Sequence, residues 1–185
     1  MKRMIVAFAI LLAAGWGVAE TAGGQTWRET LRTALPLLGH RNWIVVADAA
    51  YPWQTSPGIR TVATGAGQLE VVGEVLAAFG KTTHVRPVIY LDRELESVDE
   101  ADAPGIAQYR KGLAEALGGR AVKREPHEEI IKKLDAAGQT FHVLLLKTTY
   151  TLPYTSVFLE LDCGYWNDAA EKRLRDTMRA KTREP

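Results

Sequence analysis

One cysteine, Cys163, stands in the 185 residues, which excludes an intramolecular disulfide and a Cys-rich zinc site. An excess of one charge is missing too: 23 Lys and Arg against 22 Asp and Glu leave a formal +1. Without a basic field to attract phosphates, nucleic acid is not an expected partner. No apolar run reaches the ~20 residues of a membrane span. No serine lies in G-x-S-x-G, and His40, His84, His127 and His142 show no H-x-x-x-H spacing, so serine-hydrolase and zinc-protease readings fall away. Gly65-Ala66-Gly67 has Glu70 where a dinucleotide-binding turn needs its third glycine, and reads as a plain turn before a helix. No cofactor and no metal are expected. What is present, 46% hydrophobic and 24% charged residues, suits a globular domain able to bury a core unaided, with Cys163 expected as a small buried side chain.

The first residues read as a leader. Lys2 and Arg3 precede an apolar run from Met4 to Ala14 and a small-residue exit at Gly17-Val18-Ala19, the pattern of a secretory signal peptide over residues 1–19. That predicts a periplasmic or secreted product with no stable membrane anchor after cleavage. From about Thr26 to residue 185 there is no linker, repeat or low-complexity stretch, so a single domain is expected, ending in a polar helical tail.

Helix and strand signals alternate along it. Trp27, Leu31, Leu35 and Leu38 predict an amphipathic helix ending near Gly39, and Trp43 to Ala47 a buried strand. Tyr51 to Gly58 is expected as loop; Leu69, Val72, Leu76 and Phe79 mark a helix stopped by Gly80. Val85 to Leu91 reads as a strand that Pro87 confines to an edge or a strand start. Asp92 to Asp102, rich in Asp and Glu, reads as a solvated connection. A helix through Ile106, Tyr109, Leu113 and Leu117 closes at Gly118-Gly119, and Val122 lies in a short strand. Pro126 opens a helix with Ile130, Ile131 and Leu134 inward. Phe141 to Lys147 and Val157 to Leu161 are the last strands. From Asn167 the tail offers only Leu174 and Met178 as apolar anchors. The alternation predicts a layered α/β domain with helices covering the sheet.

Polar residues at element ends are the remaining candidates for a site. His40 precedes the first strand and Asp48 ends it; at roughly 3.3 Å per residue that strand keeps them apart, so a shared site needs other elements or another subunit. His127 begins a helix, and Tyr154 follows Pro153 before an apolar strand. Each also has a plainer reading: a surface or capping histidine, a turn-forming Asx residue, an amphipathic rim tyrosine.

Leu38-Gly39-His40, the strand Trp43–Ala47 and Asp48-Ala49-Ala50-Tyr51-Pro52 resemble the opening motif of the D-ribose pyranase and L-fucose mutarotase (RbsD/FucU) family. Pro153-Tyr154-Thr155-Ser156 and the strand behind it resemble that family's closing P-Y-x-N motif, with Ser156 in place of the Asn, and His127-Glu128 stands where ribose pyranases open a helix with His-Glu. The resemblance runs from about Leu31 to Gly164. It implies a three-layer sandwich, a mixed β-sheet flanked by helices, that assembles into homo-oligomeric rings (pentamer or decamer) with sites between neighbouring subunits. It implies His40 as proton donor, and Asp48, His127, Tyr154, Thr155 and Ser156 as binding a monosaccharide substrate.

The implied chemistry suits these side chains. Opening a cyclic hemiacetal needs a proton delivered to the ring oxygen and one taken from the anomeric hydroxyl, a task for groups titrating near neutral pH. Tyr51, Trp53 or Tyr165 could cover an apolar sugar face. The leading expectation is an exported mutarotase or pyranase. The alternatives are a carbohydrate-binding protein without catalysis, and an assembly module whose ring surface matters more than any pocket.

Overall fold

The computed structural model describes residues 26–181; the expected leader, residues 1–19, lies outside them. Six strands form a mixed sheet in the order β2-β5-β1-β6-β3-β4: β1 (Trp43–Ala47), β2 (Ile59–Ala63), β3 (Val85–Asp92), β4 (Val122–Glu125), β5 (Val143–Lys147) and β6 (Val157–Cys163). β6 runs antiparallel to both neighbours, β1 and β3; the remaining pairings are parallel. The helices are α1 (Trp27–Ala34), α2 (Gln68–Phe79), α3 (Ile106–Leu117), α4 (His127–Thr140) and α5 (Asp168–Lys181).

Strand alternation sorts the core into two layers. Ile44, Val46, Ile89, Leu91, Leu144, Leu146, Val157 and Leu159 face α1, α2 and α3. Trp43, Val45, Tyr90, Val143, Leu145 and Phe158 face α4 through Ile130 and Leu134. The result is the expected sandwich, with the central strands apolar on both faces because both are covered.

Several local expectations are refined. Thr26 caps α1 in a reciprocal box with Glu29, but the helix narrows to a 3-10 turn at Leu35–Leu37, where Pro36 removes the N–H that would continue it. β2 carried no sequence expectation of its own. It is a short edge strand whose mixed Ile-Arg-Thr-Val-Ala pattern lacks the apolar run of its neighbours. Pro87 sits inside β3, yet β4 pairs with β3 only from Ile89 onward, so position 87 borders a locally open edge. Cys163 is half-buried rather than buried. In the tail helix α5, Leu174 and Met178 remain 42% and 50% exposed. Among the described residues no helix is long and apolar enough to cross a membrane.

The largest revision concerns 92–102. Asp92 is buried, and Arg93–Glu96 forms a 3-10 turn anchored by buried Leu95. Glu94 accepts the His127 N–H at the start of α4, and Glu100 accepts from Gly105 and Ala107 at the start of α3. The acidic residues there complete two helix N-termini, where negative charge is favoured. The Glu100 carboxyl is accordingly held below its ordinary range by those two backbone donors.

Candidate functional site at the strand ends

Parallel strands deliver their C-terminal ends, and antiparallel β6 its start, to one edge of the sheet. Asp48 follows β1, Asp92 ends β3, His127 opens α4 directly after β4, and Tyr154-Thr155-Ser156 leads into β6. Residues far apart in sequence therefore meet.

Asp48 is pinned twice. Its Oδ1 accepts from the Ala50 N–H at 2.8 Å, an Asx turn, and its Oδ2 accepts from Ser156 Oγ at 2.8 Å. The Ser156 hydroxyl also accepts from the Asp48 N–H at 3.2 Å. Each carboxylate oxygen has a second lone pair, so the group can still receive a hydroxyl donor.

Across the edge, His127 Nδ1 lies 3.1 Å from Asp92 Oδ1, within ion-pair reach but off the line of an aligned hydrogen bond. The Asp92 side chain is fully buried and that of His127 32% exposed. Burial pushes the Asp92 carboxyl well above the ordinary carboxylate range; the charge of His127 pulls it back in part, and Glu94 and Asp48 push it further up. The His127 ring meets Tyr154 edge-on, centroids 5.7 Å apart at 79°. Tyr154 is held at φ 56°, a left-handed conformation that costs a non-glycine residue about 1 kcal/mol or more. Strain of this kind persists where the surroundings over-determine it.

Behind the edge, buried Gln68 fixes the arrangement. Its amide donates to the carbonyls of Val46 (2.9 Å) and Thr155 (2.8 Å), and its oxygen accepts from Thr148 Oγ1 at 2.6 Å. Tyr109 donates its hydroxyl to the same Thr155 carbonyl at 2.6 Å. Thr155 is fully buried with its hydroxyl on the Leu152 carbonyl, so its side chain serves as a post holding its neighbours.

One other expected residue stands elsewhere. His40 is at the opposite edge, before β1, with its side chain 62% exposed and Nδ1 3.4 Å from Asp162 Oδ1. The five residues of β1 alone put roughly 15 Å between it and Asp48, so one chain does not bring them together. Tyr51 is buried and cannot cover a sugar face. Its hydroxyl has no hydrogen-bond partner among the described residues, and burial pushes the phenol up. Trp53 and Tyr165 stay exposed.

An open cleft of about 540 Å³ adjoins the cluster, lined by Glu94, Pro153 and Tyr154 together with Arg93, Asp99 and Asp102, a size suited to a small ligand. A cavity of about 600 Å³ lies away from these groups, between α1 and α2. Its histidine, His84, has Nε2 at 3.2 Å and 3.3 Å from the Leu38 and Leu35 carbonyls. Among the described residues no group of three or more His, Cys, Asp or Glu side chains is placed to hold a metal ion.

No family model matches the sequence, and no curated protein matches it. Solved structures do. Bacillus subtilis RbsD complexed with D-ribose superimposes with a TM-score of 0.50 at 19% identity, over 83% of this chain and 99% of that one. The chain has an RbsD/FucU-like fold. Also similar are FucU from Bifidobacterium longum (17% identity, TM-score 0.48, 71% of this chain and 90% of that one) and the fucose mutarotase of Streptococcus pneumoniae in complex with L-fucose (19%, 0.48, 71% and 89%).

Proposed function

We propose that this protein is an exported, cofactor-independent isomerase that interconverts anomers or ring forms of a free monosaccharide. The observation that carries the reading is the convergence of Asp48, His127, Tyr154 and Ser156 on one sheet edge of a fold shared with a D-ribose-bound protein. Carboxylate, imidazole and phenol are the groups that hold sugar hydroxyls and move protons among them. Export rests on the basic start, short apolar run and small-residue exit of residues 1–19.

In this reading His40 gives a proton to the ring oxygen, and its place at the far edge requires that it come from a second copy of the chain, as in a ring of subunits. Exposed and at a turn, it is available to a neighbour. NMR exchange spectroscopy on D-ribose, L-fucose and other free sugars tests the activity. Wild type should accelerate ring opening, and His40→Ala should lose roughly 10²–10⁴-fold of that gain. Mixing His40→Ala with His127→Asn copies should restore part of the rate, because some interfaces then hold both wild-type halves. No acceleration by wild type, or full activity in His40→Ala, overturns the assignment.

One observation favours the second reading, a sugar-binding protein without catalysis: the Ser156 hydroxyl is buried and already engaged by Asp48. Saturable binding without faster exchange would select it.

A further inference from the structure

We propose that Asp92 is a positioning residue for His127, and that the couple forms the base half of the site. The role rests on the isomerase reading above, and the geometry behind it is independent of that reading. Asp92 ends a strand whose preceding residues, Ile89, Tyr90 and Leu91, are all buried, and its own side chain has no exposure. Neither carboxylate oxygen has an aligned hydrogen-bond partner among the described residues, and the approach of Oδ1 to His127 Nδ1 at 3.1 Å is the polar contact it makes. A buried carboxylate left so poorly satisfied is costly, and a strand end used only for packing would carry an apolar residue.

The contact places a proton. With Nδ1–H turned to Asp92, the neutral imidazole keeps its lone pair on Nε2, the ring nitrogen left for a ligand on a side chain one-third exposed. Glu94 grips the His127 backbone N–H with both oxygens at 3.1 Å, fixing the start of α4, and Tyr154 closes the ring's side at 5.7 Å. Imidazolium at a helix N-terminus is otherwise disfavoured by the dipole, so a carboxylate behind it is what makes protonation there feasible.

The step balances simply. His127 Nε2 takes the anomeric hydroxyl proton, the O–H electron pair becomes the carbonyl π bond, the C1–ring-oxygen bond breaks, and the ring oxygen receives a proton from the donor assigned above to His40. Closure reverses each transfer, so nothing is oxidised or reduced.

The ionisable groups around the couple are Asp48 after β1, Tyr51 in the β1–β2 loop, Glu94 after β3, Tyr109 on α3 and Tyr154 before β6. Nitrogen-15 NMR of the histidine-labelled full chain, with His127 assigned by its absence in His127→Gln, reads the couple directly. Wild type should show the Nδ1–H tautomer at neutral pH. In Asp92→Asn the His127 midpoint should fall by half a pH unit or more, with sugar-exchange kcat down 10- to 100-fold, KM within twofold, and part of the rate regained in Asp92→Glu. An Nε2–H tautomer in wild type, or an unmoved midpoint in Asp92→Asn, overturns the proposal. Should Asp92→Asn fail to fold, wild type alone decides: coupled groups titrate in two steps, and a single independent step for His127 counts against the couple. If wild type accelerates no sugar, the isomerase reading and the proton-taking role fall together, while the nitrogen shifts still decide whether Asp92 positions the ring.

Discussion

The two edges of the sheet carry similar residue types under opposite physical regimes. At the C-terminal edge of the parallel strands a histidine meets a carboxylate that is buried, and desolvation lifts the Asp92 carboxyl. At the other edge His40 meets Asp162, which is 31% exposed. There slight burial pulls the carboxyl up, but hydrogen bonds from Arg86 and the Cys163 N–H outweigh it and hold Asp162 below its ordinary range. A His–Asp contact is thus no fixed motif; solvent decides whether burial or hydrogen bonding sets the carboxyl.

The largest effect should come from the residue that organises only the first edge. Gln68→Leu removes the amide that links Val46, Thr155 and Thr148, leaving buried backbone and hydroxyl groups short of partners. We expect about 2–4 kcal/mol of destabilisation in urea titrations, together with loss of sugar affinity. A cost below about 1 kcal/mol would mean that the strand ends hold themselves.

The edges should also respond to pH with opposite sign. Asp92 has its folded pKa raised, so the folded state holds that proton more tightly than the unfolded chain does. Its contribution is complete below the unfolded value of about 3.9 and is lost as pH rises towards the folded pKa, at no more than about 1.4 kcal/mol per pH unit for one proton. Asp162 has its folded pKa lowered, so its contribution is present above about 3.9 and lost as pH falls. Urea midpoints of Asp92→Asn against wild type between pH 4 and 7 isolate the first slope: the difference should shrink steadily as acid is added if Asn mimics the protonated carboxyl.

Ser156→Ala should act more gently. It deletes the hydroxyl that both donates to Asp48 Oδ2 and accepts from the Asp48 N–H, in a buried position. About 1–2 kcal/mol of stability should go. Sugar binding should weaken further than that, because the carboxylate loses its orientation.

Legibility in the sequence followed the same division. The layered fold, five of the six strands and the candidates Asp48, His127 and Tyr154 were readable because apolar periodicity and element ends are local signals, whereas Ser156 came from the family resemblance alone. Asp92 and Glu94 were not, because an acidic run reads as solvated; the one available hint was that Asp92 directly follows the apolar Val88-Ile89-Tyr90-Leu91. Gln68 was hidden in the same way, since a polar residue at a helix start is ordinarily a surface one, and only tertiary packing turns it inward. The separation of His40 from the cluster did follow from strand length alone. In the function proposed above its partners come from a second copy of the chain, which local pattern does not encode.

Tyr154 allows function and stability to be pulled apart. Its φ of 56° is unfavourable for tyrosine and easy for glycine, so Tyr154→Gly relieves strain while deleting the ring that faces His127. The side chain is 39% exposed, so the packing of the rest of the ring is forfeited as well. Stability should change by no more than about 2 kcal/mol, since the lost packing and the glycine's extra unfolded-state freedom are set against the relief. Sugar exchange should nevertheless drop.

The smallest effect belongs to the far edge. Arg86→Ala breaks a pair in which the arginine is 45% exposed, and ion pairs at that exposure, screened by water, contribute about 0–1 kcal/mol. Urea midpoints in low and high salt should barely separate mutant from wild type. The informative readout is His40. With Arg86 gone, Asp162 keeps the Cys163 N–H and the approach of His40 Nδ1 at 3.4 Å. If the exchange rate then moves although the monomer's stability does not, His40 is acting on something beyond its own chain.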